Sequence, residues 1–233
     1  MSAVDAVKDG ARRAVRGALN PVVSLLDRMG VRPDHVTWFG LLVTSAGGVF
    51  MALGHFRIGA LVATAGSLMD TLDGGLARAR NEVTRWGAFL DSSTDRIADA
   101  ALFLGIAAFY AKVPLVMMTS EDVTLVLQLG PPELRERFLT QAMECWFSAI
   151  LAGTALAGAF LVSYTRARME GLGVECKVGW FERPERLVVL LGAALFGSGS
   201  MVMPWALFVL TVLSFFTAFQ RMAYARSRLQ GAL

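Results

Sequence analysis

Six apolar runs separated by polar links make up most of the chain. After a turn at Arg32-Pro33-Asp34-His35-Val36-Thr37, which offers a helix N-cap, the first run extends to about residue 53. The others cover about residues 58–80, 86–111, 143–169, 184–197 and 204–229. Crossing the hydrocarbon core takes roughly 20 apolar residues at about 1.5 Å rise each. The fifth run is short, so residues 182–188 are expected to enter the membrane as part of the same helix. The pattern predicts an all-α membrane protein with six transmembrane helices. Residues 54–57 and 81–85 are short links. Residues 112–140 read as a polar, loop-like stretch containing Pro131-Pro132, with a short helix at 134–140.

The chain opens differently. Over residues 2–30, Val4, Val7, Ala11, Val15 and Leu19 recur at helical spacing, with Lys8, Arg12, Arg13 and Arg16 between them. Pro21 is expected to start a second short helix, to residue 26. A basic amphipathic helix ahead of a first span lies on the membrane surface. Residues 1–32 are therefore expected to form a juxtamembrane segment and residues 33–233 the transmembrane domain. The opening has no apolar core of a cleavable signal, so the first span is expected to remain as the anchor.

Composition agrees with a membrane protein. Of 233 residues 55% are hydrophobic and 18% charged, against about 45–50% and about a quarter in soluble domains. The net charge of +3 comes from basic residues split among loops, which argues against a nucleic-acid partner. Arg28 and Arg32 join the basic opening before the first run, and Arg78, Arg80 and Arg85 lie between the second and third. Arg166, Arg168, Lys177, Arg183 and Arg186 lie between the fourth and fifth, and Arg221, Arg226 and Arg228 near the end. By the positive-inside rule both termini are cytoplasmic, in a multi-pass protein of the cell membrane. Cys145 and Cys176 form neither a disulfide framework nor a metal-ligand spacing.

One stretch carries the chemistry. Asp70, Asp73, Gly74, Ala77, Arg78, Gly87, Asp91 and Asp95 follow the pattern D-x2-D-G-x2-A-R-x8-G-x3-D-x3-D. Carboxylates inside bilayer-spanning segments mark a functional site. Asp70, Asp73 and Ala77 share one helix face, as do Asp91 and Asp95. Two antiparallel helices then aim four carboxylates at one point, where mutual repulsion is relieved by bound divalent cations. Hard oxygen ligands suit Mg²⁺ or Mn²⁺. Gly74 and Gly87 let a ligand approach the backbone, and Arg78 offers a fork for phosphate oxygens. Metal, arginine and small residues together point to diphosphate chemistry at the cytoplasmic side. A transporter would instead spread its acids through the bilayer depth.

This stretch resembles the signature of the CDP-alcohol phosphotransferase family at every fixed position. The resemblance implies a membrane enzyme of six transmembrane helices, a homodimer, in which an acceptor hydroxyl attacks the β-phosphate of a CDP-linked donor, commonly CDP-diacylglycerol, and releases CMP. It assigns Asp70, Asp73 and Asp91 to metal, with two ions expected. Asp95 becomes the general base, also touching metal. Gly74, Ala77, Arg78 and Thr84 fall at the nucleotide site, and Asp34, His35, Val36 and Thr37 match a segment that contacts the donor nucleotide.

The acceptor is read from elsewhere. Ser163-Tyr164-Thr165-Arg166-Ala167-Arg168, Glu182-Arg183-Pro184-Glu185-Arg186-Leu187 and Gln220-Arg221 put three arginine clusters at the cytoplasmic ends of spans four to six. Such clusters are costly unless they meet anions, and the donor diphosphate is already served by metal, so a second anion site suggests a phosphorylated acceptor. These segments resemble the phosphatidylinositol-phosphate synthases of actinobacteria and their archaeal archaetidylinositol relatives, which use 1D-myo-inositol 3-phosphate. Arg166 stands where the actinobacterial enzymes commonly carry lysine. By this resemblance Ser163, Arg186 and Arg221 grip the acceptor phosphate, with Arg166, Arg168 and Arg183 nearby. Glycerol 3-phosphate, free inositol and serine are the alternative acceptors, and an archaeal ether lipid the alternative donor.

Overall fold

The computed structural model describes residues 3–80, 82–176 and 178–230, apart from the side chains of 3–9 and 11–16. The residues on which the surface-helix expectation rests, Val4 to Val15 with their basic neighbours, therefore lie outside the described side chains, and Asn81 and Lys177 lie outside the described residues. The described chain is helical throughout: α1 (Ala3–Arg28), α2 (Pro33–Ala52), α3 (Phe56–Ala79), α4 (Arg85–Thr119), α5 (Glu121–Leu129), α6 (Pro132–Gly171), α7 (Arg183–Ala194) and α8 (Val202–Gln230).

Four of these, α2, α4, α6 and α8, are long and apolar enough to cross a membrane. The apolar part of α3 is cut short by Asp70, Asp73 and Arg78. At 12 residues, α7 reaches only about 18 Å, short of a hydrocarbon core of about 30 Å.

Two expectations are corrected. Pro21 starts no new helix; it lies inside α1. A proline in a helix interior removes one backbone donor, and tertiary packing of Leu19, Val23 and Leu26 holds the segment together across it. Residues 112–119, 121–129 and 132–133 are helix rather than loop, and the short helix expected at 134–140 falls within α6. α4 continues through a buried Pro114 to Thr119. The Ser120 hydroxyl then caps α5 by accepting from Val123 N–H at 3.3 Å, with Glu121 and Asp122 in the first turn. Pro131-Pro132 opens α6 instead of breaking a helix, since a first-turn proline loses no intrahelical bond.

The described chain forms two compact units, one of residues 1–46 and 62–98, the other of 47–61 and 99–233. The first is centred on Val36, Leu72 and Leu76, against which Leu19, Val23, Leu26, Val31 and Met69 pack. The end of α1 is thus part of this core. Within it α2 and α3 approach closely at Gly66. A Cβ there would stand 2.6 Å from the backbone nitrogen of Thr44 and 2.9 Å from the carbonyl oxygen of Gly40. Gly66→Val is expected to destabilise the protein by about 1–3 kcal/mol, read as a lower unfolding midpoint in detergent. An unchanged midpoint would show that the two backbones separate freely.

In the second unit α6 packs on α8. Gly158 on α6 lies against α8, where a Cβ would stand 2.9 Å from the Ser214 Cβ, and the Thr211 hydroxyl of α8 donates to the Leu151 carbonyl of α6 at 3.4 Å. Helices in lipid gain little by hiding apolar surface from one another, so small residues that permit close van der Waals packing supply the affinity.

Candidate active site

The acidic residues of the motif all belong to the first unit, Asp70 and Asp73 on α3 and Asp91 and Asp95 on α4. One carboxylate oxygen from each of Asp70, Asp91 and Asp95 lies within 4.8 Å of the others. Spacing by four residues brings Asp91 and Asp95 to the same face of α4, and α3 adds Asp70. Three carboxylates so close repel one another, and a divalent cation between them turns that repulsion into attraction. All-oxygen anionic ligands fit a hard ion such as Mg²⁺ or Mn²⁺.

Asp73 is not one of the trio. It is 5% exposed, and its Oδ2 accepts a hydrogen bond from the Thr37 hydroxyl on α2. That bond occupies one of its two oxygens and fixes the carboxylate's orientation.

A cleft of about 980 Å³ opens beside these groups, lined by Asp70, Asp73 and Asp91 together with Asp34, Thr37, Gly74, Ala77, Arg78, Thr84 and Gly87. Arg78 folds back over Gly74, with Nη1 3.4 Å from where a Cβ on that glycine would sit. Thr84 also caps α4: its Oγ1 accepts from Gly87 N–H at 3.0 Å. Asp95 joins the acidic trio without lining the cleft. His35 is exposed, Val36 belongs to the apolar cluster with Leu72 and Leu76, and neither lines the cleft.

Several cleft residues went unrecognised in the sequence, Trp86 and Arg80 among them. Trp86 Nε1 donates to Asp34 Oδ2 at 3.3 Å, and Arg80, read only as a basic loop residue, donates to Asp27 Oδ1 at 2.6 Å and to the Asp27 carbonyl at 2.9 Å. Arg80 thereby ties the end of α1 to the cleft wall. Trp86 is the second residue of α4, just past the motif's link, and that proximity was its one signal.

The candidate acceptor residues lie in the second unit. Arg186 is 2% exposed, and its Nη2 donates to Asp99 Oδ2 at 2.9 Å. Arg183 Nε stands 3.5 Å from Asp99 Oδ1. Both arginines sit in the first turn of α7, held by a capping box in which Glu182 N–H donates to Glu185 Oε2 at 3.0 Å. Nε and Nη1 of Arg186 are buried without a hydrogen-bond partner.

Arg221 contrasts with Arg186. It donates through Nε to the Val178 carbonyl at 2.9 Å, through Nη1 to the Val162 carbonyl at 2.6 Å, and through Nη2 to Glu182 Oε1 at 3.4 Å. Gly179, at φ +135°, lets the chain pass directly over this guanidinium, where a Cβ would come within 2.8 Å of Nε. Arg166 pairs with Glu170 at 2.9 Å on an exposed face, and Ser163 is half-buried.

Residues 31–219 match the sequence profile described as CDP-alcohol phosphatidyltransferase. The chain belongs to the CDP-alcohol phosphatidyltransferase family. It is 33% identical to the archaetidylinositol phosphate synthase of Methanothermobacter thermautotrophicus over 94% of each chain. It is 34% identical to the phosphatidylinositol phosphate synthase of Mycobacteroides abscessus, over 89% of this chain and 83% of the relative. Among solved structures it resembles the phosphatidylinositol phosphate synthase of Mycobacterium tuberculosis with CDP-DAG bound. The TM-score is 0.67 at 29% identity, over 88% of this chain and 92% of that one. The same mycobacterial protein has been solved with manganese and citrate, matching at TM-score 0.67 and 28% identity over 88% of this chain and 87% of that one. A CDP-alcohol phosphatidyltransferase is a transferase of phospholipid synthesis. The acidic trio, set beside the manganese of that neighbour, makes divalent-metal use the reading of the site.

Proposed function

We propose that this CDP-alcohol phosphatidyltransferase moves the phosphatidyl group of CDP-diacylglycerol onto a hydroxyl of 1D-myo-inositol 3-phosphate, giving phosphatidylinositol phosphate and CMP. The observation that carries the reaction class is the convergence of Asp70, Asp91 and Asp95 beside a cleft lined by Asp73, Gly74 and Arg78. The acceptor is supported by the names of the relatives and by the buried arginines of α7. The archaetidylinositol phosphate synthase similar to this chain along 94% of its length favours a second donor, the ether-lipid analogue of CDP-diacylglycerol.

In this reading Asp70, Asp73, Asp91 and Asp95 hold two ions, Mg²⁺ or Mn²⁺. When bound, these ions draw charge from the diphosphate and stabilise CMP as it leaves. Asp95 accepts the proton of the attacking acceptor hydroxyl at its carboxylate. Arg78 directs its guanidinium at phosphate oxygens of the donor. Thr37 keeps Asp73 oriented, and Asp34, Gly74, Ala77 and Thr84 shape the wall that receives the nucleotide; His35 and Val36 support that wall from outside it. The acceptor's phosphate is bound by Ser163, Arg166, Arg183, Arg186 and Arg221.

The protein is proposed to cross the cell membrane six times, through α2, α3, α4, α6, α8 and the short α7, which would span it only together with the turn residues 195–201 that follow. Residues 1–32 lie on the surface, residues 33–233 form the transmembrane domain, and the cleft and both termini face the cytoplasm. Support for that orientation comes from the basic residues clustered in alternate links. The family resemblance supports a homodimer embedded in membrane lipid.

Membranes supplied with CDP-diacylglycerol and labelled inositol phosphate, glycerol 3-phosphate, inositol or serine, each separately, test the assignment. Lipid product and CMP are expected with inositol phosphate, and are expected to disappear with chelator and return with Mg²⁺ or Mn²⁺. Product from glycerol 3-phosphate alone would overturn the acceptor, and chelator-resistant CMP release would overturn the metal site.

A further inference from the structure

We propose that Asp99 is a positioning residue for acceptor binding, holding Arg186 so that its Nε and Nη1 donors are left for the acceptor's phosphate. This rests on the reading that the acceptor is phosphorylated.

Asp99 is 3% exposed and Arg186 2%. A carboxylate and a guanidinium so deeply buried satisfy each other electrostatically. Asp99 faces two arginines, Arg186 at 2.9 Å and Arg183 at 3.5 Å. Buried N–H groups are nearly always hydrogen-bonded, yet Nε and Nη1 of Arg186 have no partner. These two atoms bear donors pointing elsewhere than Asp99. A charged acceptor such as a phosphate oxygen is the chemistry that fits donors left without a partner on a buried guanidinium.

Asp99 has no use as an anion ligand itself. Its work is on the arginine: it consumes Nη2 and so sets the rotation of the planar group. The capping box at Glu182 and Glu185 fixes the backbone of the same turn. Between them the guanidinium is held in place before any ligand arrives, which reduces the ordering entropy lost on binding. Arg221 lacks this feature, because each of its three nitrogens already donates to its own chain.

The test is steady-state kinetics of Asp99→Asn in membranes, with donor and acceptor varied in turn. The acceptor KM is expected to rise at least about tenfold, while the donor KM stays within about twofold. An unchanged acceptor KM overturns the proposal. So does a parallel rise of both constants, or a loss of turnover alone, because a merely structural role moves those. If Asp99→Asn does not accumulate, Asp99→Glu, which keeps the charge, is read in the same way and is expected to show a smaller rise in acceptor KM. Failure of both variants to accumulate assigns Asp99 to folding and overturns the proposal as well. The acceptor reading is checked first on the unaltered protein. If that protein uses glycerol 3-phosphate, the inositol assignment fails while Asp99 is still tested with that substrate. If it uses only unphosphorylated acceptors, both ideas fail before any variant is made.

Discussion

Replacing Asp95 with asparagine is expected to lower CMP release on the order of 10²–10⁴-fold while leaving the protein folded. The amide has nearly the shape of the carboxylate and keeps a carbonyl oxygen, but it cannot take a proton from an acceptor hydroxyl near neutral pH. Asp95 also shares the acidic trio with Asp70 and Asp91, so loss of activity alone does not separate a base from a ligand. Metal titration does. A variant weakened only in metal binding regains turnover as Mg²⁺ or Mn²⁺ is raised; a variant lacking its base does not. Asp95→Asn is expected to stay low across the titration, whereas Asp91→Asn recovers in part. Recovery of Asp95→Asn at high metal would make it a ligand and leave the proton acceptor unassigned. Elution volume and unfolding midpoint in detergent establish that each variant is folded.

The donor half of the site was legible because its chemistry is local. Asp70 with Asp73, and Asp91 with Asp95, reach common faces through helical spacing alone, and the structure brings three of the four together. The departure of Asp73 was not legible, since it depends on Thr37, which lies 36 residues away in sequence. Thr84 gave a family match but no hint that its hydroxyl caps α4. Helix boundaries between 112 and 140 were misread for a related reason. Glu121, Asp122 and the Pro131-Pro132 pair look like loop composition, although acids and prolines are also what helix starts require, and the segments between them, such as residues 123–127, are apolar.

Asp99 was the more consequential omission. Its sequence signal was present: it continues the four-residue spacing of Asp91 and Asp95 on α4. Its meaning came only from a partner 87 residues away. The arginines were visible as a cluster, but which of them is satisfied by its own chain and which retains donors depends on long-range contacts. Arg221 and Arg186 look alike in sequence and differ in this respect. Of the two, Arg186 is the one whose substitution separates anchoring from binding.

Arg186→Met is expected to destabilise the protein by about 3–5 kcal/mol, the usual penalty for removing one partner of a buried pair, because Asp99 then keeps only the longer contact with Arg183. Transfer to the phosphorylated acceptor should fall at least about a hundredfold in kcat/KM, equivalent to about 2.7 kcal/mol. Adding Asp99→Asn removes the stranded charge. The double variant should therefore recover much of the stability, since replacing both partners by groups of similar volume is often nearly neutral. It should recover none of the transfer, since the donors that meet the phosphate stay absent. Thermal unfolding in detergent and acceptor-dependent CMP release, measured on both single variants and the double, form a cycle that reports the coupling directly. Stability returning without activity is the signature of an arginine held for a ligand. Activity returning together with stability would make Arg186 an anchor of α7, and the acceptor phosphate would have to be sought at Arg166 or Arg221.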